Sequence, residues 1–254
     1  MLVLLSPAKT LDMAPVDFPD ATQPRLLDDS ARLVEALRKK SRKKLAEMMD
    51  ISPNLAELNY QRYQDFSLPL SQENAKPALF AFRGDVYQDL EADDFSPQER
   101  DFANRQLRIL SGLYGLLRPY DLMAAYRLEM GTSLTTRRGK NLYAYWGDRI
   151  TQLLNEDLAA QDEDLVLNLA SQEYFKSVRP EKLRARLLTV HFREAHQGGY
   201  RVVAFNAKRA RGRMANLITR EGITTAEPLR ELVVNDYHFR ADLSAEADWV
   251  WVRE

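Results

Sequence analysis

Lysines and acidic residues that follow short apolar runs are the side chains best suited to catalysis in this sequence. Lys9 and Lys176 each come soon after such a run. A lysine amine becomes a nucleophile when it is desolvated or lies beside another cation, and a carboxylate such as Asp85 or Glu129 can then transfer protons. These residues favour one hypothesis, a nucleic-acid-processing enzyme of the base-excision or lyase type.

Asp85 has two interpretations. It could be the acid of a pocket near Lys9, with Tyr87 as a stacking partner and a small molecule as the ligand. It also follows Gly84, and an aspartate in that position is more commonly the N-cap of a helix. Both interpretations stay open at the level of the sequence.

Composition excludes several other chemistries. The chain has no cysteine, which excludes disulfides, thiolate metal sites and cysteine nucleophiles. His191, His196 and His238 are the only histidines, and none has the spacing that places two ligands on one helix face. We therefore predict no metal site and no cofactor, with iron binding by these histidines and nearby carboxylates as an alternative.

Positive charge is concentrated in one part of the chain. The net charge is -1, yet the stretch from Lys176 to Arg220 has twelve basic and two acidic residues. Four cations fall within six positions, at Lys208, Arg209, Arg211 and Arg213. Cations this dense repel one another unless an anion is present, which favours phosphate binding; the alternative is a solvated helix face.

A glycine-flanked segment gives a second indication of phosphate binding. Gly112 and Gly115 interrupt an apolar run, and glycine allows a tight turn and a close approach to a ligand. The pattern favours a helix-hairpin-helix over about 97–125, and a plain corner between two helices explains the same letters. The predicted DNA contacts are Arg108, Ser111, Gly112, Leu113, Tyr114, Gly115, Arg118, Lys176, Lys208, Arg209, Arg211 and Arg213.

These residues must be positioned by a mixture of helices and strands. Ser96-Pro97 with Glu99 forms a capping box that begins a helix, which we expect to run into Ser111-Gly112. Strands and helices mix without a regular alternation, which favours one α+β (mixed α/β) domain over 1–254. We expect helices over 26–49, 142–158 and 207–219, strands over 2–5 and 165–169, a hairpin of 187–192 with 200–205, and an edge strand over 248–252.

Six blocks of the sequence together resemble a known family. They are Ser6 to Leu11, Phe82 to Tyr87, Leu107 to Pro119, Tyr126 to Gly131, Asn168 to Lys176 and Lys208 to Gly212. In this order they are similar to the signature blocks of the bacterial peroxide-stress protein YaaA family. The resemblance implies an unusual fold and a protein that acts under hydrogen-peroxide stress. Such a protein lowers free iron and so limits Fenton damage. The resemblance also implies DNA binding through a basic cleft and a helix-hairpin-helix. In this chain that element would be Ser111 to Gly115 with its flanks.

The leading hypothesis is accordingly a DNA-binding protein of the peroxide response, not obviously an enzyme. It would bind double-stranded or structured DNA through the phosphate backbone, with an indirect link to iron. The N-terminal apolar run is too short for a signal peptide or a membrane span, so we expect a cytoplasmic protein without a membrane partner.

Overall fold

A mixed eight-stranded sheet forms the centre of the molecule in a computed structural model that describes residues 1–254. The strands are β1 (Leu2–Leu5), β2 (Thr10–Leu11), β3 (Lys76–Pro77), β4 (Phe82–Arg83), β5 (Leu107–Ser111), β6 (Gly115–Leu117), β7 (Leu122–Met123), β8 (Leu165–Asn168), β9 (Arg186–His196), β10 (Gly199–Arg201), β11 (His238–Phe239) and β12 (Asp248–Arg253). The helices are α1 (Leu27–Arg38), α2 (Arg42–Met49), α3 (Pro53–Asp65), α4 (Ala78–Ala81), α5 (Asp85–Leu90), α6 (Pro97–Gln106), α7 (Leu142–Trp146), α8 (Arg149–Ala160), α9 (Gln172–Phe175) and α10 (Ala204–Glu221).

The order of the sheet places β1 in its interior, between β8 and β5. The strands follow the order β11-β12-β9-β8-β1-β5-β6, and β10 pairs with β9. Strands β12, β9, β8, β1 and β5 run parallel. Both β1 and β8 are buried at every position, which explains why they are continuous apolar runs. The mixed sheet and its helices confirm the α+β class.

The chain passes from β1 to β5 on one side and returns to β8 on the other side. Such a reversal of strand order opens a crevice outside the carboxyl ends of the strands, where open α/β sheets bind their ligands. Here that carboxyl edge is formed by Ser6, the turn after Ser111, and the segment after Asn168. A ligand site is therefore expected at this edge of the sheet.

Local start signals explain which helices the sequence predicted correctly. The capping box at Ser96 is confirmed: its hydroxyl accepts the N–H of Glu99, and the Glu99 side chain accepts the N–H of Ser96. The expected helix over 26–49 is instead two helices, because Ser41 caps a new one at Arg42. The expected helix over 142–158 is likewise interrupted, at Gly147, whose φ is 54°.

The predicted helix-hairpin-helix over 97–125 is wrong. Helix α6 ends at Gln106, and the following residues form the antiparallel pair β5 and β6. All five residues of β5 are buried, so apolar side chains occur on both faces and imitate helical spacing. A Cβ on Gly112 would lie 2.1 Å from the carbonyl oxygen of Leu128, so this glycine lets two backbones pack in the interior.

Two expectations for the C-terminal strands need correction. A hairpin of β9 with β10 is present, but it joins 194–196 to 199–201. The predicted residues 187–192 pair with β8 and β12 instead, and α10 begins at Ala204. Strand β12 is not an edge strand, because it lies between β9 and β11. It pairs with both, and its aromatic residues Trp249 and Trp251 are buried.

The buried apolar residues form one contiguous core on both faces of the sheet. None of the ten helices combines the length and the apolar character that crossing a bilayer requires.

Candidate nucleic-acid interface

Three segments are tied together at the carboxyl end of β1. The backbone N–H of Ser171 donates to the Ser6 hydroxyl at 2.9 Å, and the two serine hydroxyls lie 3.3 Å apart. The Tyr87 hydroxyl donates to the Ser6 carbonyl at 3.0 Å. Burial raises the pKa of Tyr87 well above its ordinary value, so the phenol remains a donor. These bonds hold α5 and the segment after β8 against the strand end.

Beside this strand end, Glu129 lies between two cations. Its Oε1 atom is 3.1 Å from Lys9 Nζ and 3.0 Å from an Arg127 Nη atom. Neither contact has hydrogen-bond geometry, so Oε1 is buried without a hydrogen-bond partner. The Lys9 side chain is 64% exposed, whereas those of Arg127 and Glu129 are 16% and 21% exposed. Lys9 therefore lacks the desolvation that would make its amine reactive.

Helix α3 packs directly onto this group. The Tyr63 hydroxyl donates to the backbone carbonyl of Arg127. Arg62 directly precedes Tyr63 in the same turn of this helix. Burial is the main cause that lowers the pKa of Arg62, and the positive charge of Arg127 lowers it further. Arg62 has no carboxylate partner, and its nearest polar contact is the Asn59 side chain at 3.3 Å. The C-terminal half of α3 thus adjoins the carboxyl edge.

Helices α2 and α3 form a helical hairpin, joined by the three residues Asp50-Ile51-Ser52. Asp50 adopts the left-handed conformation, with φ 50° and ψ 57°, and its N–H donates to the carbonyl of Ala46. The Ser52 hydroxyl accepts the N–H of Leu55 at 3.4 Å, and Pro53 occupies the first helical position. Two short helices joined by a tight turn therefore lie at a position where the sequence did not predict a turn.

Cations surround the start of this helical hairpin. Arg42 pairs with Glu57, and Lys44 lies 3.3 Å from Glu47. The three remaining lysines, Lys39, Lys40 and Lys43, have no carboxylate within ion-pair distance. Three cations in the first turn of α2, with no acidic residue there, oppose the helix dipole, and an anion at this position would relieve that repulsion.

Half of the predicted DNA contacts lie in the interior. Arg108 donates to Asp157 at 2.6 Å, and its side chain is 3% exposed. The Ser111 hydroxyl lies 2.6 Å from that of Tyr126, and Trp146 donates to the Gly112 carbonyl. A duplex cannot reach these positions. The residues whose burial removes the basis for a DNA contact are Arg108, Ser111, Gly112, Leu113, Tyr114 and Gly115.

The predicted cations of α10 are exposed or half-buried, but most of them are paired. Lys208 lies 3.8 Å from Asp85, Arg209 lies 2.9 Å from Asp89, and Arg213 lies 3.5 Å from Glu91. Arg211 has no acidic partner, and burial lowers its pKa. Acids from another part of the chain therefore compensate the charge of this helix. Contact of this helix with DNA stays a prediction, with intramolecular acids as competitors for its cations.

The remaining predicted residues lie at different points of the surface. Lys176 is exposed, with its Nζ 5.2 Å from the centre of the Tyr143 ring. Arg118 is 29% exposed and pairs with Asp121 at 2.9 Å. Asp85 is the first residue of α5, and the N-cap is Gly84. The predicted N-cap therefore lies one residue too late in the sequence.

The histidines do not converge on a metal site. His191 Nε2 lies 2.7 Å from Asp248, and no group of three or more histidines and carboxylates surrounds a common point. A third ligand would be needed for the proposed binding of iron by histidine and carboxylate.

Sequence reasoning missed the helical hairpin, although a signal was present. Ser52-Pro53 is the same helix-start pattern as Ser96-Pro97, and Ser41 is a second N-cap residue within the expected helix over 26–49. Arg62 and Arg127 carry no local signal, because α3 and the loop of Arg127 are distant in the sequence and are joined in the fold by the Tyr63 hydrogen bond.

The fold and the site define the class: an α+β protein with a mixed sheet, a polar site at the carboxyl edge and an adjoining cationic helical hairpin. The chain belongs to the family described as peroxide stress protein YaaA, whose model matches residues 1–243. It is 48% identical over 255 residues to a UPF0246 protein of Chromobacterium violaceum, covering 100% of this chain and 99% of the relative. It is 47% identical over 253 residues to one of Acaryochloris marina, with 100% of both chains covered. The expected family is therefore confirmed, and membership connects the protein with peroxide stress.

Proposed function

We propose that the protein binds DNA through the phosphate backbone, without reading the base sequence, and that the helical hairpin α2–α3 is the main contact. The observation that carries the proposal is the set of three lysines at the start of the hairpin, Lys39, Lys40 and Lys43, which have no carboxylate partner. In the family resemblance, DNA binding by a helix-hairpin-helix is already implied. We assign that role to α2–α3 instead of 97–125.

The turn of the hairpin suits a phosphate group. The first N–H groups of α3 have no intrahelical acceptor, and the N–H of Asn54 is one of them. Ser52 and Asn54 are both exposed. Backbone N–H groups at a helix start bind phosphate oxygens without distinguishing bases, because they contact the sugar-phosphate chain alone.

The apolar residues of α3 support the same contact. Leu55 and Leu58 are 38% and 45% exposed, and both lie in the first half of the helix. Large exposed side chains next to free cations are suited to lie along the sugar edge of a minor groove while the lysines reach the phosphates. The hairpin is thus both charged and shaped for a duplex.

DNA binding also fits the role in peroxide stress. A protein that covers DNA in the cytoplasm can limit Fenton damage there. Cytoplasmic location and the link to iron are parts of this proposal that the family resemblance implies.

Salt-dependent binding tests the proposal. Fluorescence anisotropy with a labelled duplex of about 20 base pairs, in two unrelated sequences, gives the dissociation constant at several salt concentrations. Each lost phosphate contact lowers the slope of log K against log salt by about 0.9. We expect the double variant Lys39→Gln with Lys43→Gln to weaken binding to both duplexes and to reduce the slope by about 2.

The matched control is the pair Arg184→Gln with Arg186→Gln. Both arginines are exposed and have no carboxylate partner, and they lie beside the amino end of β9, at the opposite edge of the sheet. The control should keep the parent slope. Equal slopes for the parent, the lysine variant and the control would exclude the helical hairpin as the contact.

A further inference from the structure

Positive charge exceeds negative charge in a group that lies between the helical hairpin and the carboxyl edge. The group contains Lys9, Arg62 and Arg127 as cations and Glu129 as the carboxylate that contacts two of them. Arg62 and Arg127 are both more than half withdrawn from water. Partly buried charge is costly when it has no counter-ion, so an excess of cations in such a place indicates an anion.

Arg62 is the cation with the fewest partners. Its one hydrogen bond is to the amide oxygen of Asn59 at 3.3 Å, and no carboxylate lies within ion-pair distance. It lies on α3, within the helical hairpin, and directly precedes Tyr63, whose hydroxyl donates to the backbone carbonyl of Arg127. Most N–H donors of this guanidinium are therefore available to a ligand.

Arg127 is fixed in place but is also incompletely bonded. The buried Tyr63 hydroxyl holds its backbone carbonyl. Its Nε is buried and has no hydrogen-bond partner, and its contact with Glu129 at 3.0 Å lacks hydrogen-bond geometry. A guanidinium on an anchored backbone, with donors that no protein group uses, is suited to the oxygens of a phosphate group.

We propose that Arg62, Arg127 and Lys9 form a binding site for one phosphate group. The inference rests on the proposed function only for the source of the phosphate, which would belong to the DNA strand that leaves the helical hairpin. The same chemistry would also accept inorganic phosphate or a free nucleotide. The site extends the DNA contact from the turn of the hairpin along α3 to the carboxyl edge of the sheet.

The charge of Glu129 distinguishes a phosphate site from a purely structural group. Its carboxylate competes with an incoming phosphate for Lys9 and Arg127, because it contacts both. Removing its charge with Glu129→Gln should therefore strengthen phosphate binding, whereas Arg62→Gln and Arg127→Gln should weaken it. A structural role for the group would make all three variants weaker binders.

The experiment has two arms, applied to the full chain with folding checked by thermal unfolding. In the first, inorganic phosphate is titrated while the side-chain Nε–H signals of arginine are followed by NMR. In the second, duplex affinity is measured against salt. We expect Arg62→Gln and Arg127→Gln each to reduce the salt slope by about 0.9, and Glu129→Gln to bind about threefold or more tightly. The matched control Arg32→Gln, on the exposed face of α1, should leave both arms unchanged.

The two arms separate this inference from the proposed function. Phosphate-dependent signals of Arg62 and Arg127 with no duplex binding by the parent would support the site with a free phosphate or nucleotide as its ligand, and would contradict DNA binding. Duplex binding that is unaffected by Arg62→Gln and Glu129→Gln, with no response to phosphate, would overturn the site and leave the helical hairpin as the contact.

Discussion

Individual residues in this protein owe their roles to partners that are distant in the sequence. Gly112 was expected to approach a phosphate, yet it accommodates the carbonyl of Leu128 in the interior. The cations of α10 were expected to be free, yet Asp85, Asp89 and Glu91 neutralise three of them. Residue type alone predicted neither outcome, because the partner of each residue is set by the packing of other elements.

Gly112→Ala tests the buried position of this turn. An added Cβ would lie 2.1 Å from the Leu128 carbonyl oxygen, so one of the two backbones must move. We expect a loss of about 1–3 kcal/mol in the free energy of unfolding, measured by urea denaturation. The control is Gly199→Ala at an exposed glycine outside the left-handed region, where the added Cβ would lie no closer than 3.8 Å to another atom, the His196 carbonyl oxygen. A Gly112→Ala protein as stable as the parent would contradict this packing.

Asp157 makes stability depend on pH. Burial alone would raise its pKa, but hydrogen bonds from Arg25 and Arg108 outweigh burial and lower the pKa below its ordinary value of 3.8. The ion pairs therefore stabilise the fold fully above about pH 4, and that contribution is lost as the pH falls through the lower folded pKa. We expect Asp157→Asn to cost about 3–5 kcal/mol at pH 7, because it leaves buried arginines without a counter-charge.

The measurement is urea denaturation of the parent and Asp157→Asn at pH 7 and at pH 3. The difference between the two proteins should be smaller at pH 3, because this pH lies below the ordinary pKa of 3.8 and the unfolded parent chain then takes up a proton at Asp157. An equal difference at both values would show that the effect of Asp157 comes from packing and not from its charge.

At the scale of elements, local signals were sufficient where the chain begins or ends a helix by itself. The capping box at Ser96 predicted the start of α6, and the apolar run Leu2–Leu5 predicted β1. The segment 107–117 could not be assigned in this way, since strands buried on both faces have the same apolar spacing as a helix. The helical hairpin was missed although its serine and proline signals were present.

Asp50 lets the turn of the helical hairpin be tested separately from its lysines. It takes a left-handed conformation that glycine adopts without strain, and its charge lies next to the proposed phosphate. We expect Asp50→Gly to raise the free energy of unfolding by up to about 1 kcal/mol and to tighten duplex binding. Asp50→Asn removes the charge but keeps a side chain, so it should tighten binding with little change in stability. Weaker binding by both variants would contradict a phosphate at this turn.

At the scale of the whole molecule, the order of the sheet brings the candidate residues to one edge. Lys9, Glu129 and Lys176 follow different strands and loops, and they share the carboxyl side of the sheet because β5 and β8 flank β1 in parallel. The sequence predicted the α+β class and several strands, but not the strand order, which depends on pairings between residues more than a hundred positions apart. For the same reason it did not predict that α3 lies against the loop of Arg127.

The most direct test of DNA binding by the helical hairpin follows the backbone amide signals of the protein by NMR while a duplex of about 20 base pairs is added. We expect the largest changes on residues 39–55, with further changes at Arg62 and Arg127. Duplex binding with unchanged signals over 39–55, and with the main changes on α10 instead, would contradict binding by the helical hairpin.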